Sequence, residues 1–288
     1  MSRYLDPKSD LVFTKIFGQH PKLLKSFLNA VLPLPEHSLI DSLVYLPREQ
    51  APQIPAFKYS IVDVKCTDQQ GRIFIVEMQV QWTKSFIQRL LFGTSTAYVR
   101  QLERGEQYDL LKPVYGLGLL NDVFDRESSE WYHHYKLVNV KDTQRDIKDL
   151  QLIFIELPKF HSTSMSHRKL QILWLRFLSE LNEKTKQVPA EWLSVPEIRQ
   201  AVELTEESAY SASEMEAYDK YWDIVSTEKT LLHDKFEEGL EQGIKQGVAQ
   251  GRLDTKQVVA RNLLNLGLSV DEIVIATGLS ISEIHQLK

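Results

Sequence analysis

Apolar residues in the first third of the chain keep two different periods. In "SDLVFTKIFG", Val12, Phe13, Ile16 and Phe17 have the spacing of one helix face, with Ser9 or Asp10 at the cap and Gly18 at the stop. "KLLKSFLNAVL" repeats that spacing and runs into the proline-rich "PLPEH". The pattern then turns to strands in "SLIDSLVYL", "KYSIVDVKC" and "RIFIVEMQVQ". Residues 83–104 return to helical spacing without a proline, and "PVYGLGLLNDVF", "HYKLVNVK" and "LQLIFIEL" read as later strands. This alternation predicts a mixed α/β domain over residues 1–160. From residue 167 the pattern is helical throughout. That sets an acidic helical extension over 161–235 and a glycine-repeat helix with a small helical module over 236–288.

Polar residues interrupt one predicted hairpin. Its turn is "DQQGR", and a glycine at the third place of a three-residue loop suits a type I turn with a G1 bulge. With Gln69, Gln70 and Gly71 as the loop, Asp68 pairs with Arg72. Counting back, Lys65 faces Ile75, Asp63 faces Glu77 and Ile61 faces Gln79. Strand alternation then puts Asp63, Lys65, Glu77, Gln79 and Gln81 on one face. Val62, Val64, Cys66, Phe74, Val76, Met78 and Val80 form the other, a core face. A loop longer by one residue would separate Asp63 from Glu77. Carboxylates placed directly opposite repel unless a proton or cation lies between them. A divalent cation with oxygen ligands, two carboxylates, a backbone carbonyl and waters, fits such a pair.

Composition narrows the classes. The chain of 288 residues is 43% apolar and 25% charged, within the range of globular proteins. No apolar run approaches the ~20 residues that span a bilayer, and the polar N-terminus has no signal-peptide core. A single cysteine, Cys66, excludes an internal disulfide and a cysteine-based metal site. A cytoplasmic location is the expectation. The net charge of −5 is concentrated: residues 203–241 hold 12 acids against 3 bases, while residues 1–106 hold 13 bases against 10 acids. The front third therefore permits a polyanionic partner.

Near the C-terminus, Gly239, Gly243, Gly247 and Gly251 recur at every fourth position. Each costs a helix about 1 kcal/mol relative to alanine, while acids before the repeat and bases after it suit the helix dipole. The bare groove is either a helix–helix contact, in cis or in a homo-oligomer, or a solvated linker. Ser269 with Glu272 and Ser280 with Glu283 are capping boxes, and Gly267 and Gly278 lie in the turns before them. These features predict three short helices with a helix-turn-helix outline, better suited to packing or assembly than to reading DNA.

An aspartate, about a dozen residues, then Glu-x-Lys on adjacent strands after an N-terminal helix is the pattern of the PD-(D/E)xK nucleases. Here it reads Asp63, then Glu77-Met78-Gln79, with glutamine at the lysine position. With "DPKSDLVFTKIFG", "LERGEQYDLLKPVYGLGLLNDVF" and the glycine tail, the whole chain resembles the Rpn family of recombination-promoting nucleases, also described as transposases. The resemblance implies a restriction-endonuclease-like core, a mixed central sheet flanked by helices, with an all-α C-terminal region. It implies a Mg²⁺-dependent DNA endonuclease associated with recombination or transposition. Asp63 and Glu77 would hold the metal, with the Met78 carbonyl as an extra ligand, and Gln79 would stand where a lysine usually orients the water. Gln79 carries no charge, so a catalytically inactive DNA- or protein-binding relative is the alternative.

Other residues have plainer readings beside the functional one. Lys65 is a candidate for the missing charge, and Lys84, Arg89, Arg100 and Arg104 are either phosphate contacts or a solvated face. Asp10 suits a helix cap better than the carboxylate face. His133 and His134 are adjacent in a strand, point to opposite faces and make a poor metal pair. Cys66 and the aromatics of "AYDKYWDI" read as packing.

Overall fold

The computed structural model describes residues 3–47, 49–50, 60–61, 63–161 and 169–287. A mixed sheet organises the first of its two units, Met1–Val225. The strands are β1 (Leu43–Tyr45), β4 (Val64–Asp68), β5 (Ile73–Gln79), β6 (Val114–Leu120), β8 (Asp142–Glu156) and β7 (Tyr132–Asn139), in that spatial order. A separate short pair, β2 (Glu49–Gln50) with β3 (Ser60–Ile61), lies before β4. β5, β6 and β8 run parallel, and the outer pairings are antiparallel. The central strands are covered on both faces, which is why β6 is buried at every position.

Helices α1 (Asp10–Phe17), α2 (Pro21–Val31) and α4 (Lys169–Glu180) share one core with Val64, Cys66, Phe74, Val76 and Met78. The short helices α5 (Ala190–Leu193) and α6 (Pro196–Glu203) add Trp192 and Ile198 to it. The predicted core face of the hairpin is thus the face these helices cover; Val62 lies outside the described residues. Cys66 is fully buried there, and burial pushes its thiol up to about 12. Tyr218 and Trp222 pack against the same core, and the Tyr218 hydroxyl accepts the Asp6 N–H at 2.8 Å. Lys8 is buried beside Asp6 at 2.9 Å and donates to the Leu178 carbonyl, which fixes the start of α1 on α4.

The opposite face carries α3 (Ser85–Val99), whose Phe86, Leu90 and Ala97 pack on Ile73, Ile75, Leu152 and Phe154. Two glycines of β6 admit this helix. A Cβ on Gly116 would lie 2.4 Å from the Thr94 methyl, and one on Gly118 would lie 2.9 Å from both Phe86 and Phe154. The polar face inferred from alternation is therefore half apolar and is roofed by α3.

The second unit, Ser226–Lys288, begins within α7 (Ala212–Asn265) and continues with α8 (Val270–Thr277) and α9 (Ile281–His285). Both capping boxes form, and Gly267 and Gly278 take positive φ values of 83° and 65°. Ala260, Ile273, Leu279 and Ile284 make its small core. Two short helices follow a helix of 54 residues, rather than the three short helices predicted. The glycine repeat is helical throughout. A Cβ at any of its four positions would meet nothing within 4 Å among the described residues. Among the described residues no helix is long and apolar enough to cross a membrane.

Candidate active site

The hairpin register is the one the turn predicts. Val64, Lys65, Cys66 and Thr67 face Val76, Ile75, Phe74 and Ile73. Gly71 takes φ 78°, and Asp68 N–H donates to the Arg72 carbonyl at 3.1 Å. A second device holds the turn. The Asp68 carboxylate accepts from the Arg72 side chain at 2.7 Å and from the Arg72 and Gln70 main-chain amides, each at 3.0 Å. Arg72 also binds the Ser38 carbonyl and hydroxyl. Both partners of this ion pair are buried, so a slip in register would strand two charges.

The ladder ends at Val64, one residue short of the expected Asp63–Glu77 pair. Asp63 occupies a bend, and its Oδ2 accepts the Met78 N–H at 2.6 Å. The carboxylate thus bonds a strand amide beyond the last ladder pair. Ile61 does not face Gln79 as predicted: it pairs with Glu49, because the chain leaves the sheet at this bend.

Glu77 projects from β5, only 5% exposed, beside Gly118 of β6. Its Oε2 lies 3.4 Å from Arg89 Nε, while its Oε1 is buried with no hydrogen-bond partner among the described residues. Burial raises the Glu77 pKa, and Arg89 opposes the rise. Burial likewise raises Asp63 to about 7; Asp10 and Glu77 add to the shift, and the Met78 N–H and Arg89 oppose it. Asp10 thus lies within electrostatic reach of Asp63. The helix cap falls to Ser9, whose hydroxyl accepts the Val12 N–H, so Asp10 is not used as the cap.

Gln79 accepts from Arg89 Nη2 through Oε1 at 2.5 Å and donates from Nε2 to the Gln81 carbonyl at 2.6 Å. Gln81 in turn donates to the Val225 carbonyl. Of the basic candidates, Arg89 joins the motif residues, through hydrogen bonds to Gln79 and Glu77. Burial lowers the Lys65 pKa, and the neighbouring Arg100 charge adds to the shift. Lys84 and Arg100 flank the ends of α3, and Arg104 lines a cavity with Tyr98, Tyr108 and Asp149. Arg89 was one of four cations on a predicted helix. Its particular place follows from Phe86 and Leu90, which dock α3 and leave Arg89 at the edge of the contact.

The adjacent strand ends are braced by a separate network. Glu156 is fully buried and accepts from Phe124 N–H at 2.6 Å, and it pairs with His133 at 3.0 Å and Lys159 at 2.6 Å. Asn121 N–H donates to the Gln79 carbonyl, and the Asp122 carboxylate accepts the Trp82 N–H. His134 instead meets Gln151. The two histidines therefore serve different structural contacts.

A sequence profile described as PD-(D/E)XK nuclease family transposase matches residues 7–234. The chain belongs to this family. Neither a curated protein nor a solved structure matches it. The family core is the sheet with its flanking helices, and the all-α C-terminal region is α7–α9. In this PD-(D/E)XK chain, the sequence pattern assigns Asp63, Glu77 and Gln79 to the acidic and third positions of the motif. The family generally uses a divalent cation. Among the described residues no group of three or more histidine, cysteine, aspartate or glutamate side chains is arranged to hold a metal. What the site offers is two carboxylates and main-chain oxygen. The orphaned Glu77 Oε1 fits a hard cation, since a buried carboxylate oxygen without a donor is costly. The Met78 carbonyl leaves β5 on the same edge as its N–H, beside Asp63.

Proposed function

We propose that this chain is a metal-dependent DNA endonuclease that hydrolyses phosphodiester bonds in DNA recombination or transposition. The observation that carries the reading is the buried, partnerless Glu77 Oε1 on a strand whose Met78 amide holds Asp63. Asp63 and Glu77, with the Met78 carbonyl, would hold Mg²⁺ or a similar divalent cation. When bound, such an ion polarises a phosphate and lowers the pKa of a coordinated water. The protein's part is to hold both carboxylates at β5, Glu77 by its place in the strand and Asp63 by its bond to the Met78 N–H. Asp63 must release its proton to serve as a ligand, which its pKa of about 7 permits near neutrality.

The test is nicking of supercoiled plasmid with Mg²⁺, with and without EDTA, for wild type, Asp63→Ala and Glu77→Ala. Nicking by wild type alone, abolished by EDTA, supports the reading. Equal nicking by all three sinks the site. The second reading is a catalytically inactive DNA- or protein-binding relative. It is favoured by the Gln79 amide, which carries no charge and is engaged at both ends by Arg89 and Gln81. DNA binding without nicking would select it.

We further propose that α7 assembles with a second copy. Leu232, Phe236, Leu240, Ile244 and Val248 recur at every fourth residue and are all exposed, alongside the glycine groove. Rows of this spacing interlock between two helices at about −50°. Acids Asp234–Glu241 and bases Lys245–Arg261 would oppose each other in an antiparallel pair. Truncation before Phe236 should lower the assembly state measured by light scattering, and an unchanged state removes the idea.

A further inference from the structure

The third motif position is neutral in this chain, yet the site is not without a cation. Arg89 comes from α3, an element the motif does not include. Its guanidinium is fixed by Gln79 Oε1 at 2.5 Å and Glu77 Oε2 at 3.4 Å, and it lies 5.2 Å from the centre of the Phe86 ring. Its side chain nevertheless remains 45% exposed. Those contacts use only part of its fork of N–H donors, so the remainder is available to a ligand.

A phosphate approaching Asp63 and Glu77 meets two carboxylates, with Asp10 within electrostatic reach of Asp63. Bringing a polyanion there requires positive charge beyond that of a bound ion. A guanidinium can bind two phosphate oxygens at once, and it holds its charge even when buried. Gln79 cannot supply charge. Its carbonyl oxygen can aim an arginine, and that is the contact it makes.

We propose that Arg89, aimed by Gln79 and Glu77, is the phosphate-contacting cation of this site and takes over the charge that position 79 lacks. This rests on the nuclease reading for its catalytic consequence, though the phosphate contact can be measured without cleavage. Gln79 is then a positioning residue for Arg89.

The experiment uses the full chain and a fluorescein-labelled DNA duplex. Affinity is followed by anisotropy across a salt series in EDTA, where nothing is cut. Single-turnover cleavage in Mg²⁺ is followed separately. Arg89→Met and Arg89→Gln should each reduce the slope of log affinity against log salt by about 1, the signature of one lost phosphate contact. They should also slow cleavage on the order of 100-fold, as for loss of one transition-state donor. Arg89→Lys should restore the slope and part of the rate. Gln79→Lys placed in the Arg89→Met background should recover cleavage by returning charge to position 79. An unchanged salt slope in folded Arg89→Met and Arg89→Gln overturns the proposal, and so does tighter Mg²⁺ binding without a slope change. If wild type fails to cut, the nuclease reading falls and the salt slope alone decides the phosphate contact. A wild type without duplex affinity overturns both.

Discussion

The Asp63 carboxylate accepts the Met78 N–H at 2.6 Å from one residue before β4 begins. Asp63 therefore belongs to the edge of the sheet rather than to its ladder. It is held by the backbone of the strand that carries Glu77, which ties both carboxylates to β5.

That arrangement sets a pH dependence in the metal-free protein. Burial raises Asp63 to about 7, above the ordinary carboxylate range. Between that range and pH 7 the folded chain retains a proton that the unfolded chain has released. Stability should therefore fall as pH rises through this window and level off above it. Urea midpoints in EDTA across pH 4–8 will show a slope in wild type and a shallower one in Asp63→Asn. An equal slope in both would mean that Asp63 does not titrate there.

Cation binding should follow the opposite trend. Binding requires ionised ligands, so Mg²⁺ affinity should rise with pH up to about 7 and release a proton. Calorimetry in buffers of different ionisation enthalpy measures that proton directly. Glu77→Gln should weaken binding at every pH by removing a charged ligand. Unaltered affinity would exclude Glu77 from the ligand set.

The seat of α3 depends on two glycines. At Gly118 a Cβ would lie 2.9 Å from Phe86 and Phe154, both fully buried and unable to withdraw freely. Gly118→Ala should cost about 1–3 kcal/mol by overpacking, read from denaturant midpoints. Because α3 carries Arg89, the same change should also lower nicking. A stability within about 0.5 kcal/mol of wild type would show that α3 is free to shift.

The hairpin turn depends on a buried charge pair. Asp68→Ala leaves Arg72 charged and buried, with an expected loss of about 3–5 kcal/mol. Replacing both residues by apolar ones of similar size should recover much of that loss. If the double variant is no better than the single, the pair acts through geometry that apolar packing cannot replace.

Local chemistry by itself determined the hairpin. Gly71 at the third loop position fixes a left-handed residue there. Alternation then assigns Val64, Cys66, Phe74, Val76 and Met78 to a core face. Apolar period and capping pairs likewise determined α1, α2, α8 and α9, because those signals act within a few residues. Contacts distant in sequence decided the rest. Ile61 pairs with Glu49 outside the main sheet, and Asp63 meets an amide instead of facing Glu77 in register. Docking of Phe86 and Leu90 over Gly116 and Gly118 selects Arg89 from four candidate cations. Asp10 nears Asp63 because Lys8 anchors α1 to α4. Periodicity states which face a residue occupies. What that face meets depends on where other elements come to rest, and only the packed chain defines it.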